Sequence, residues 1–209
     1  MAQNEYRGKP IGVDQMTCFP MLADTATETT YGEPIAVPGT QQIQLTPEFA
    51  ESQLYGDNIA EDDISLMTGA NLTLDDTQII EDVRAKLFGH VIDDKGGMIH
   101  NMFDSAPYFG VTFRVTLSKK DSTKKDYLYV ALLKVKFKEF QETFKTTEGT
   151  NVTMQTHAGI GGKAFARQSD GNVILRYRSS NPKFAAEIAS KWATTMPTIT
   201  APASPSVGQ

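Results

Sequence analysis

Along residues 109–117, Phe109, Val111, Phe113, Val115 and Leu117 alternate with Gly110, Thr112, Arg114 and Thr116. A side-chain period of two puts each set on its own face of an extended strand. The same odd-position pattern resumes at Tyr127, Tyr129, Ala131, Leu133, Val135 and Phe137, beyond a charged loop at 119–125. Together the two runs predict an antiparallel hairpin laid over a core. The second strand is apolar on both faces from Tyr127 to Leu133. It becomes one-sided where Lys134, Lys136 and Lys138 enter, so its centre is expected to be buried and its end wet.

Shorter alternations flank this hairpin. The first segment, to about Ile35, is polar and irregular, with a strand expected at 17–22. Turn signals at Tyr31-Gly-Glu-Pro34 and Pro38-Gly39 separate strands at 35–37 and 41–46, where Ile43 and Leu45 alternate with polar residues. Further strands are predicted through 52–55, 64–68 and 70–74. Phe140 and Phe144 extend the long second strand after a bulge. A strand is expected at 151–156, then a flexible stretch at 158–162. A last hairpin, 164–168 with 172–177, turns at Ser169-Asp-Gly-Asn172.

Two helices are marked. Asp75, Asp76 and Thr77 offer N-cap oxygens, Ile79, Ile80, Val83, Leu87 and Phe88 recur at helical spacing, and Gly89 is placed as a C-cap. The second starts at Asn181-Pro182 and carries Phe184, Ile188 and Trp192 on one stripe. The expected fold is mainly β: a β-sandwich with one helix packed on the sheets and a short C-terminal helix. A single domain is expected over 1–196 with a flexible N-terminal segment, and a disordered tail over 197–209, where Pro, Ala and Ser dominate.

Composition changes this picture little, but charge distribution adds to it. The net charge of 209 residues is −5, and 40% of them are apolar, enough for a core. Residues 48–94 hold twelve acidic side chains against Arg84 and Lys86, whereas 95–145 hold ten basic ones against five acidic. An acidic chain is poorly suited to wrapping nucleic acid. Opposite patches on one subunit can instead meet on neighbouring copies, a contact that closes into rings or continues as filaments. Cys18 stands alone in Met16-Thr-Cys-Phe-Pro20 and reads as a packing residue of a half-buried strand. The N-terminus lacks the apolar core of a signal peptide and no apolar run is long enough to span a bilayer, so a soluble protein without membrane association is expected.

No reactive cluster stands out, and no catalytic residues, cofactor or metal are expected. His90, His100 and His157, with Asp93, Asp94 and Asp104, supply metal-ligand types, but none sits at a zinc-ligand spacing. His157 falls beside Thr153 and Gln155, as on a solvated strand face. Gly159-Ile-Gly-Gly-Lys163 lacks the first glycine and the hydroxyl of a P-loop, with His157 and Ala164 in those places. Glu61-Asp-Asp63 and Asp93-Asp94 follow no EF-hand order.

The order of features carries a resemblance. Tyr31-Gly-Glu-Pro-Ile-Ala-Val-Pro-Gly39, then 43–47, then Tyr55-Gly-Asp-Asn58 resemble the opening of the major tail proteins of long-tailed bacteriophages, the subunits of non-contractile tail tubes. The helix at 76–89, the hairpin at 109–137, the strand at 148–156 and the late-Trp helix at 181–192 continue it, so it covers roughly residues 10–196. Asp62-Asp63 and the 159–163 loop depart from the pattern. The resemblance implies a structural virion protein, not an enzyme. Its β-sandwich subunits would form hexameric rings stacked around a tape-measure protein, meeting tail-terminator and distal-tail proteins at the ends. Assembly would take place in the host bacterial cytoplasm and the product would be the virion tail. DNA would cross the lumen without specific binding, helped by an acidic bore. On that reading Glu48, Glu51, Asp57, Glu61, Asp62 and Asp63 are candidates for the acidic lumen. Lys119, Lys120, Asp121, Lys124 and Lys125 are candidates for contacts between subunits or rings. The alternative is a β-sandwich binding module for a carbohydrate or cell-surface ligand. It needs an exposed aromatic platform, for which Tyr6, Tyr31 and Tyr55 are the available residues.

Overall fold

The computed structural model describes residues 8–56, 59–118, 125–146 and 154–199, with the backbone alone for 55–56 and 59–62. The chain is mainly β. It begins with β1 (Pro10–Asp24), β2 (Thr29–Tyr31), β3 (Ile35–Ala36), β4 (Thr40–Gly56) and β5 (Ile59–Asp76). Next come α1 (Glu81–Phe88), the short pair β6 (Val91–Ile92) and β7 (Met98–Ile99), and the long hairpin β8 (Tyr108–Leu117) and β9 (Asp126–Phe137). The last elements are β10 (His157–Ala164), β11 (Ile174–Arg178) and α2 (Ala186–Lys191).

One antiparallel sheet runs in the order β2-β1-β8-β9-β10-β5-β4, with β3 also on β1 and β11 also on β9. It curls until β1 and β4 lie against each other, giving a β-sandwich-like body. The main core fills the concave side. Met16, Cys18, Leu72, Leu74, Phe109, Val111, Leu132 and Phe137 meet there, closed by Val83, Leu87 and Phe88 of α1. Cys18 is fully buried in β1, and burial pushes its thiol up to about 12, an inert packing residue as expected. On the other side of the sheet, Phe19, Tyr129, Ala131 and Leu133 pack under Trp192 and Met196.

The β8–β9 hairpin forms as its alternation predicts, with one correction. Phe109 pairs with Val135 but Val111 pairs with Leu132, so β9 carries one extra residue between those rungs. This bulge reverses the parity of the strand. Tyr129, Ala131 and Leu133 therefore face α2, whereas Val135 and Phe137, on the same odd numbers, join the main core. A second bulge, in β1, falls between Asp14 and Thr17, where Gln15 has φ 54°.

Other boundaries also move. The strand expected at 17–22 is present but longer: β1 runs for 15 residues and takes in chain on both sides expected to be irregular. The four short strands expected from 41 to 74 are two long ones, β4 and β5. The expected flexible stretch at 158–162 is the middle of β10, hydrogen-bonded to both β5 and β9. Two of its glycines have a structural reason. A Cβ on Gly162 would stand 3.2 Å from Phe137 and Val135 side-chain carbons, and Gly159 takes φ +73° beside a register shift. Residues 154–156 are not in a strand, and 151–153 lie outside the described residues. The last hairpin does not form: β10 and β11 follow one another along the same edge of β9. Phe140 and Phe144 lie beyond the end of β9 in irregular chain.

Helix α1 starts later than its expected caps. Asp75 and Asp76 still belong to β5, and the N-cap is Ile80, without a side-chain bond. Asp75 accepts instead from Gly159 N–H, and Asp76 from Gln78 N–H. Gly89 ends the helix at φ 78°, as its position indicates. α2 likewise starts at Ala186 after a turn at 181–183, but its Phe184, Ile188 and Trp192 stripe faces the second cluster as expected.

Asp126, at the start of β9, is buried and accepts from Ser179 Oγ at 2.6 Å, Arg178 Nε at 2.9 Å and Ser180 Oγ at 3.1 Å. Burial works against its charge, but the bonds from Ser179, Arg178 and Ser180 prevail and hold its pKa below the ordinary carboxylate value. Asp126→Ala is expected to cost about 2–4 kcal/mol in urea denaturation, because it orphans these donors. A group with a depressed folded pKa stabilises above its unfolded value and loses that contribution as pH falls through the folded one. The wild-type advantage over Asp126→Ala is therefore expected to hold at neutral pH and to shrink below about pH 3.9. An advantage independent of acidification would refute the role of the charge.

Candidate functional site

The most unusual surface is the outer half of the β4–β5 ribbon. The two strands pair from Thr40 with Asp76 to Gly56 with Ile59. Only the inner part of β5, Ala70–Asp76, also pairs with β10. The outer part is an arm, exposed on both faces at 49–54 and 63–68. Among the described residues β4 ends the sheet path, with β5 as its one neighbouring strand there.

Register assigns the arm's side chains to faces. Near the body, Ile43 pairs with Leu74 and Leu45 with Leu72, and this face meets the core. Following the same face outward gives Phe49 opposite Met67, then Glu51 opposite Ser65 and Gln53 opposite Asp63. The reverse face carries Gln44, Thr46 and Glu48 near the body, then Ala50 opposite Leu66, Ser52 opposite Ile64, and Leu54. Polarity thus inverts along the ribbon: the face that is polar beside the body becomes apolar on the arm. Leu54, Ile64 and Leu66 are each more than half exposed. A patch of this kind on a two-stranded ribbon needs cover, since such a ribbon is marginal alone.

The candidate lumen residues divide accordingly. Glu51 and Asp63 are exposed and share the arm's polar face. Glu48 sits on the other face at the arm's root, where Lys163 Nζ at 2.6 Å and Asn71 Nδ2 at 2.8 Å bind its carboxylate and lower its pKa. Lys163, the lysine of the rejected P-loop pattern, is thereby a strand residue in an ion pair. Asp57 and the side chains of Glu61 and Asp62 lie outside the described residues. So do Lys119, Lys120, Asp121 and Lys124; Lys125 is exposed just before β9. Of the possible aromatic platform, Tyr31 is half-buried and donates its hydroxyl to Leu133 O at 2.7 Å, while Tyr6 and the Tyr55 side chain lie outside the described residues.

The second notable constellation gathers all three histidines of the chain. His90 directly follows the C-cap of α1. Its Nδ1 donates to Asp104 Oδ2 and its Nε2 to Glu139 Oε2, each at 2.7 Å. Burial disfavours the charge on His90, but these two carboxylates outweigh it and raise its pKa. The His100 ring lies 4.1 Å from that of His90. Arg84, nearly buried on α1, holds Glu139 through Nε and Nη2 and Glu142 through Nη1 and Nη2. His157 closes the series, 3.9 Å from Glu142. It accepts from Ile79 N–H and packs on Phe140, so it is not the solvated strand residue that its neighbours suggest. Asp93 stands apart, capping its own turn through Lys95 and Gly97 N–H. Sequence spacing gives no sign of this gathering, because Glu139 arrives from the far end of β9.

Among the described residues no helix is long and apolar enough to cross a membrane. No protein-family model matches the sequence, and no curated protein matches it.

Proposed function

We propose that the chain is a structural subunit that assembles with copies of itself into stacked rings, forming a tube of the kind built by the phage major tail proteins it resembles. The inverted polarity of the β4–β5 arm carries this reading. Its apolar face has no partner within the described chain, and the outer side of β4, which ends the sheet path among the described residues, is a template for strand addition. An arm that meets a different surface on the next subunit makes a heterologous contact, which closes into rings when the rotation allows. The polar face, with Glu51 and Asp63, then suits a lumen through which DNA passes without sticking. A tape-measure protein, end-capping tail proteins and a place in the virion tail belong to the same proposal.

Concentrating the purified full-length chain is expected to convert monomer into rings or tubes, seen by negative-stain electron microscopy and sedimentation velocity. A chain that stays strictly monomeric at millimolar concentration refutes the proposal. Retention of that monomer on a glycan array would favour a binding module instead.

A further inference from the structure

We propose that His90, His100 and Glu139 form a site for one zinc-class divalent cation, where the end of α1 meets the β6–β7 hairpin and the chain just after β9. The ligand atoms these residues offer all lie within 4.8 Å of one another. Two imidazoles and a carboxylate are a ligand set of open zinc sites, with the fourth position left to water. Imidazole also favours zinc, cobalt or nickel over magnesium or calcium. His100 and Glu139 are exposed, so the fourth position faces solvent.

What separates this cluster from an ordinary surface ion pair is the support behind each ligand. Asp104 holds His90 by Nδ1 and is itself fixed by Asn101 N–H at 2.8 Å, which leaves Nε2 as the outward atom. Arg84 holds Glu139 by Oε1, which leaves Oε2 turned toward His90. A carboxylate behind a histidine ligand is the arrangement that orients metal-binding imidazoles and raises their basicity. His100 completes the set: its ring nitrogens have no hydrogen-bond partner among the described residues, and its ring lies tilted beside that of His90 with centroids 4.1 Å apart. Ligand atoms on a tetrahedral zinc are about 3.3 Å apart. His90 Nε2 and Glu139 Oε2 are 2.7 Å apart, so a small side-chain rotation admits the cation, which replaces the proton between them. The bound ion ties the β6–β7 hairpin to the body, a staple for a part of the chain that buries little apolar surface of its own.

The test uses the full-length chain stripped with a chelator and kept at monomer concentrations, so it reads independently of assembly. Titration with zinc against a chromogenic competitor is expected to give one equivalent per chain. Cobalt is expected to give visible bands of a four- or five-coordinate site, and zinc to raise the midpoint of thermal unfolding. His100→Ala, at an exposed position, is expected to weaken zinc binding by roughly 100-fold or more, and Asp104→Asn by about 10- to 100-fold. His157→Gln is expected to leave it unchanged. Absence of saturable one-to-one binding, or binding indifferent to His100→Ala, overturns the site.

Discussion

Substituting Ile64 and Leu66 together with aspartate is expected to abolish assembly of the purified chain while leaving the monomer folded. Each side chain, if buried against a neighbouring subunit, contributes about 1.5–3 kcal/mol. Losing both, and placing carboxylates in the contact, weakens each interface by more than about 100-fold. In the monomer the same positions are exposed, so the expected cost is within about 0.5 kcal/mol, or roughly 1–2 °C in Tm. Glu51→Gln, on the opposite face of the arm, is expected to leave assembly intact. Sedimentation velocity and differential scanning calorimetry on the three proteins decide the matter. Tubes formed by the double variant would show that the apolar face is not the contact. A monomer that melts many degrees lower would show that the arm packs on its own body.

The second large effect lies at Trp192. Its ring is 1% exposed, stands 5.2 Å from the Tyr129 ring centroid and 6.2 Å from that of Tyr177, and its Nε1–H donates to Phe113 O at 3.1 Å. The Trp192 carbonyl in turn accepts from the buried Thr112 hydroxyl at 3.2 Å. Trp192→Ala is expected to cost about 3–5 kcal/mol and, at two to four degrees per kcal/mol, to lower Tm by about 6–20 °C. That is a large share of the 5–15 kcal/mol typical of a domain. Trp192→Phe keeps most of the packing and loses the hydrogen bond, so an intermediate loss is expected. Urea denaturation of both variants is the measurement. A loss under about 1 kcal/mol for Trp192→Ala would mean that α2 is not part of the cooperative unit.

The parts of this fold that can be read from sequence are those where one physical signal dominates. Strict alternation from Phe109 to Leu117 announces β8, and Phe184, Ile188 and Trp192 at helical spacing announce the face of α2. Apolar residues on both sides of Tyr127–Leu133 foretell a strand covered twice, as found. The bulge on β9 cannot be read, because one inserted residue leaves Val135 and Phe137 on odd numbers while moving them to the other side of the sheet. β10 is hidden for a different reason. Glycines lower strand propensity in isolation, and the tight fit that favours one at Gly162, against Phe137 and Val135, is made only by the folded sheet. The inverted polarity of the arm is only half present in the sequence: on β4, Ala50 and Leu54 stand on the other parity from Ile43 and Leu45, but on β5, Ile64 and Leu66 keep the even numbers of Leu72 and Leu74 and change face only through the extra residue between Met67 and Gly69. It becomes visible only once β4 and β5 are known to be continuous. The meeting of His90, His100 and Glu139 is purely tertiary, made by the turn after α1 and the exit from β9.

The shared edge of β9 has a mechanical consequence. β8 is bonded along one side of this strand, and β11 and then β10 occupy successive lengths of the other. Tension applied along β9 therefore loads many lateral bonds at once, in shear, whereas the outer ribbon of β4 and β5 holds together by a single ladder and can be peeled open rung by rung. The molecule accordingly has a stiff spine and a compliant limb. Strain imposed on a chain of such units would be absorbed at the joints between them before it reached the interior of any one.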